Sequence, residues 1–184
     1  MEMKTIACII LLGLTLTGVF IGGSIIVGYN DLVASKNQAD TEWSNIWVQV
    51  ERKMDLIPQI QDIVETYAAY EQSTLLTLIQ LRTQWMNAND SLAQRDNISD
   101  LVTQELNQVV ITLEDNPDLQ AVSLFEDWLV EVAGTENRIT NAKLDYNEAV
   151  QAFNTKFMSF PGNWIGGMFG FEAMELYDVR VLAS

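Results

Sequence analysis

Two charged residues interrupt the most regular apolar pattern in the chain. From residue 122 to residue 160, apolar side chains recur every three or four positions, at Val122, Phe125, Leu129, Val132, Ile139, Tyr146, Val150, Phe153, Phe157 and Phe160. That spacing predicts one face of a long helix. The steps missing from it fall at Glu136 and Lys143, two turns apart. A charge turned into a helical core without a partner is costly, so each predicts an opposite charge on a facing helix. The same phase on an earlier helical segment turns Glu71 and Arg82 inward, giving two acids and two bases, with Asn147 and Asn154 as further polar groups. Ser, Thr, Lys and Glu could in principle build a Ser–Lys nucleophile, but nothing in the spacing points to one. The predicted role of these six is instead a buried polar network that fixes bundle register.

Catalytic alternatives lack their parts. The sequence has no histidine. This removes the Glu-x-x-His pairs of carboxylate-bridged di-metal bundles, and Cys/His zinc sites with them. No phosphate-binding glycine loop, nucleophile elbow, dinucleotide fingerprint or EF-hand spacing occurs. No cofactor, no metal and no enzymatic activity are therefore expected. Lys and Arg number 10 against 25 Asp and Glu, a net charge of −15, which repels nucleic-acid phosphates and anionic headgroups alike. Cys8 is the single cysteine and allows no intramolecular disulfide.

The elements that must position these residues begin with an anchor. No charged residue occurs between Ile6 and Val27, a run long enough to cross a hydrocarbon core of about 30 Å. A secretory signal has a shorter apolar region of roughly 7–15 residues, so residues 1–28 are expected to be a retained single-pass anchor. Cys8 precedes the apolar stretch instead of following it, unlike the cysteine of a lipoprotein cleavage box. Gly18 and Gly22 form a small-xxx-small pair suited to close helix approach in a membrane. Lys4 and Lys36 flank the span on opposite sides, so charge alone leaves the orientation balanced.

Residues 29–160 read as an all-α domain, an antiparallel up-down-up-down four-helix bundle. The first helix carries Leu32, Trp43, Trp47, Val50, Met54 and Ile57. Pro58 is expected to start a second helix capped by Asp55, because a proline inside a helix costs about 3 kcal/mol or more. Polar residues from Met86 to Ser99 predict a loop, and Asn97 a cap for a third helix from about Ile98. Asn116-Pro117-Asp118 predicts the start of the fourth. Residues 161–184 are a tail whose first half is aromatic and glycine-rich, too irregular for a helix throughout and too apolar for water. Trp164 and Phe169 are expected at the membrane interface or in a subunit contact.

Several blocks resemble the LemA family: Tyr29-Asn30, Asp55-Leu56-Ile57-Pro58, Gly134-Thr135-Glu136-Asn137-Arg138-Ile139, Tyr146-Asn147-Glu148-Ala149-Val150, Phe153-Asn154, Phe160-Pro161-Gly162-Asn163 and Gly170-Phe171. The likeness spans most of the chain from Tyr29 to Phe171. Trp47, Lys143, the region of Gln72 and the ending Glu172–Ser184 depart from the family's usual pattern. The resemblance implies a single-pass anchor at the cell (inner) membrane, followed by an antiparallel helical bundle on its cytoplasmic side, with no established catalytic residues. Two functions follow as expectations: a scaffold that self-assembles into a homo-oligomer through anchor, bundle and tail, or a monomeric adaptor that recruits another protein through its helices.

Overall fold

The computed structural model describes residues 2–67, 72–88, 92–114 and 123–177. They form five helices, α1 (Glu2–Tyr67), α2 (Gln72–Asn87), α3 (Leu92–Glu114), α4 (Ser123–Met158) and α5 (Gly162–Phe169). Residues 171–177 follow without regular structure. No strand occurs among the described residues, as the helical spacing predicts. The chain divides into two compact units, Met1–Ser44 with Lys143–Ser184, and Asn45–Ala142.

In the first unit, the large apolar residues of the N-terminal stretch stand exposed around the whole helix, from Ile6 at 56% to Val27 at 69%. An apolar helix without a polar side belongs in a membrane. Its hydroxyls agree. Thr15, Thr17 and Ser24 donate to the carbonyls of Leu12, Gly13 and Phe20 at 2.8, 2.9 and 2.9 Å, so each of these polar groups is satisfied by its own helix. Beyond the span, Leu32 of α1, Phe153 of α4 and Ile165 of α5 form a core against which Phe157, Phe171 and Met174 pack.

In the second unit, the later part of α1, α2, α3 and the first part of α4 enclose a core that includes Ile46, Ile57, Leu78, Val102, Leu106, Phe125 and Trp128. Here the expected corner at Pro58 is corrected. α1 runs through the proline without a break to Tyr67, and Asp55 lies in its interior, not at a helix start. A proline removes the N–H that would bond the carbonyl four residues earlier, which is that of Met54. Arg82 of α2 supplies the missing donor, Nε to the Met54 oxygen at 3.1 Å, while the Pro58 ring lies exposed.

Two further expectations are corrected. The predicted Met86–Ser99 loop is largely helical: α2 continues to Asn87 and α3 begins at Leu92. Asn97 therefore lies inside α3 and is no cap. Here a polar composition marks an exposed helix face beside buried Ile98 and Ser99. The predicted boundary at 116–118 lies outside the described residues.

Candidate functional sites: a buried lysine and a clamped tail

Along α1 the buried positions Leu32, Ala39, Ile46, Lys53 and Ile60 repeat every seven residues. Four are apolar and the fifth is a lysine, 2% exposed. Its ammonium has three protons to place. It donates to Thr103 Oγ1 at 2.6 Å and Ser99 Oγ at 3.1 Å on α3, and forms an ion pair with Glu136 Oε1 of α4 at 3.0 Å. Thr103 in turn donates to the Ser99 carbonyl at 3.1 Å and lies 3.0 Å from the same Glu136 oxygen. One ion pair thus ties three helices together. Ser99 is 3% exposed, and its hydroxyl helps to solvate the ammonium.

The predicted six-residue network is distributed over separate contacts. Glu136 turns to Lys53. Arg82 approaches Asp55 at 3.7 Å, a pair largely in solvent, besides its bond to Met54. Lys143 sits over the Tyr177 ring, 4.5 Å from its centroid, a cation–π arrangement. Glu71 lies outside the described residues. The cause is the phase of α4. The buried line passes through Thr135, 1% exposed, and Ala142, one position before Glu136 and Lys143, which are left half-buried on its flank. Phe160, predicted to close the stripe, is 86% exposed. The sevenfold repeat through Lys53 is the signal that could have found the true partner of Glu136. A lysine within it does not look like a core position.

Asn147 and Asn154 hold the tail. Asn154 Oδ1 accepts the Met174 N–H at 2.9 Å, and its Nδ2 donates to the Met174 carbonyl at 2.8 Å. Asn147 repeats this on Tyr177, at 2.7 and 3.0 Å. Tyr146 adds a bond from its hydroxyl to the Glu175 carbonyl, 3.1 Å. Burial raises the Tyr146 phenol above its ordinary 10.0, and the Asp40 and Glu175 carboxylates push the same way. Trp43 of α1 completes the seat, its ring 5.1 Å from Tyr146 and 6.0 Å from Tyr177.

At the other end of this seat, α5 packs on α1 at Gly28. A Cβ placed there would stand 2.5 Å from Ile165 Cδ1, so any side chain at this position has to push that methyl group aside. Phe169 lies against Tyr29, centroids 4.7 Å apart, yet half its surface remains open, as does that of Trp164. Gly18 and Gly22 have open space on their Cβ sides.

These features define an all-α protein with a membrane-type N-terminal helix and a tail strapped to its helices. The chain belongs to the LemA family, whose profile matches residues 42–183. It is similar to Magnetosome protein MamQ 1 and Magnetosome protein MamQ 2 of Paramagnetospirillum magneticum, at 20% identity over 182 residues, covering 85% of this chain and 67% of each relative. It is also similar to Protein LemA of Metamycoplasma hominis, at 22% identity over 155 residues, covering 84% of this chain and 68% of that protein.

Proposed function

We propose that the protein is a non-enzymatic scaffold, anchored by a single span in the cell membrane with its soluble part on the cytoplasmic side, that self-assembles through its span, bundle and aromatic C-terminal segment. One observation carries this reading. Ile165 fixes α5 at Gly28, directly after the apolar stretch ends at Val27, and around it Phe160, Trp164, Met168 and Phe169 are 86, 52, 56 and 50% exposed. So much apolar surface beside the end of a span is suited to the bilayer interface and to neighbouring copies. A notch of about 550 Å³ lined by Val19, Phe20, Gly23, Ser24, Val27, Gly28 and Pro161 adds a concave apolar surface with small residues, the kind that lets a second transmembrane helix approach.

The test is the mass of the intact protein in mild detergent and in nanodiscs. A defined multiple of one chain is expected. A single-chain mass at every workable concentration overturns self-assembly and favours the monomeric adaptor.

A further inference from the structure

The notch beside the span continues past the end of the apolar stretch. Gly28 and Pro161 line it and also line a second cleft of about 220 Å³, whose other walls include Asp31, Lys156, Ser159 and Gly162. The groove is therefore apolar along Val19, Gly23 and Val27 and charged one helical turn further on. Its corner is tightly built. A Cβ on Gly162 would overlap the Lys156 carbonyl oxygen, so the chain turns here on a residue without a side chain. From Val19 to Gly28 the helix rises about 13.5 Å, close to the roughly 15 Å that one leaflet contributes to a hydrocarbon core of about 30 Å. A second transmembrane helix crosses both leaflets, whereas an acyl chain occupies one, and the notch has the depth of the acyl chain.

Asp31 and Lys156 form an ion pair at 2.8 Å, with 57 and 43% of their side chains exposed. Opposite charges so exposed contribute little to stability, so the pair is free to open around a ligand of matching charges. A zwitterionic headgroup offers them: phosphate oxygens for the Lys156 ammonium, and an ammonium for the Asp31 carboxylate. We propose that the groove binds one phosphatidylethanolamine molecule from the leaflet next to the soluble part. An acyl chain lies against Val19, Gly23 and Val27, and the headgroup sits between Asp31 and Lys156. A primary ammonium donates hydrogen bonds to a carboxylate, which the quaternary group of choline does not. Choline is held instead by cages of several aromatic rings, and Phe160 is the one aromatic ring among the described residues that line the cleft. An anionic headgroup without an amine would set Asp31 against a like charge, on a chain whose net charge is already −15. The proposal rests on the single-span part of the reading above and not on self-assembly. At about 100° per residue, Gly18 and Gly22 lie on the opposite side of the helix from Phe20 and Val27, so a lipid here leaves that face open to another copy.

The experiment is native mass spectrometry of the full chain in detergent, incubated with phosphatidylethanolamine, phosphatidylcholine and phosphatidylglycerol in equal amounts and with identical acyl chains. One phosphatidylethanolamine per chain is expected, retained about five-fold or more over each of the others, the ratio for one hydrogen bond of ordinary net strength. Asp31→Ala should abolish that preference. Gly23→Leu, placed where Gly23 has open space on its Cβ side, fills the notch and should lower retention of all three lipids. Equal retention of the three by the unaltered chain, or the same preference in Asp31→Ala, overturns headgroup recognition. Unchanged retention in Gly23→Leu overturns the notch as the seat of the acyl chain. Crosslinks from a diazirine side chain at Val27 that reach the span of another chain and no lipid would make a helix the occupant, and overturn the proposal. The same spectra count chains. Selective retention at a single-chain mass leaves the lipid site standing and overturns self-assembly, and a defined multiple without selectivity does the reverse.

Discussion

Arg82 carries out the hydrogen bonding that Pro58 abolishes. The proline has no N–H for the Met54 carbonyl, and the arginine on the neighbouring helix donates its Nε to that oxygen at 3.1 Å. A helix interior that would ordinarily lose about 3 kcal/mol is thereby partly restored from outside. The expected signature is a coupling. Arg82→Met alone destabilises by about 1–3 kcal/mol, the range for a deprived acceptor. In a Pro58→Ala background, where the new alanine brings its own N–H, the same change costs little. Chemical denaturation of the four proteins of the cycle measures this, and equal costs in both backgrounds refute the compensation.

Lys53 and Glu136 give a second cycle. Removing the carboxylate by Glu136→Ala takes the ion-pair partner at 3.0 Å from a buried ammonium that also donates to Ser99 and Thr103. A broken buried pair costs roughly 3–5 kcal/mol, an upper bound here because a third of the Glu136 side chain is exposed. Lys53→Met with Glu136→Leu should be milder than either single change. Additive losses in the double variant would show that the two charges act independently.

Asn154 should govern the tail locally. The Met174 amide is expected to exchange slowly with deuterium because it donates to Asn154 Oδ1. Asn154→Leu removes that protection by about ten-fold or more, with helical α4 amides unchanged. Unaltered exchange at Met174 would place its protection elsewhere.

Alkaline pH should release the same segment. Tyrosine in an unfolded chain loses its proton near 10.0, and the folded Tyr146 holds it to higher pH. Between these values the unfolded state binds fewer protons, so stability is level below about pH 10 and declines above it. The phenolate also ceases to donate to Glu175. Tyr146→Phe is expected to remove this tyrosine's share of the alkaline decline in a pH series of melting temperatures; an identical decline in the variant contradicts it.

Gly28→Ile drives a side chain into Ile165. The expected result is displacement of α5, seen as a changed Trp164 emission and faster proteolysis after Phe160. Ile165→Ala in the same chain relieves the overlap and restores protection. No change with Gly28→Ile would mean that the α1–α5 approach is not needed.

Periodicity made the apolar span, the helical class and the long fourth helix legible, because burial follows spacing. It failed where one helix receives help from another. Nothing around Pro58 announces that Arg82 will satisfy Met54. Lys53 hides in a seven-residue repeat because a lysine is not expected among its buried positions. The stripe of α4 was placed one residue late at Glu136 and Lys143, since Thr135 and Ala142 are small and only weakly apolar and carry less signal than their neighbours. Asn147 and Asn154 stood out as polar groups, but their partners are backbone atoms, which every residue possesses and no composition reveals.

That last point bears on what the tail's sequence is free to become. Met174 and Tyr177 are held through atoms common to almost all amino acids, while Glu172, Ala173, Glu175 and Leu176 face outward. Proline is excluded at 174 and 177, where an N–H is required; the outward positions carry no such demand. The segment is in effect a fixed rail with interchangeable lettering. Descendants of this chain can rewrite its exposed characters while its path stays put, and an experimenter can write an epitope or a label there and know beforehand where on the protein it will be displayed.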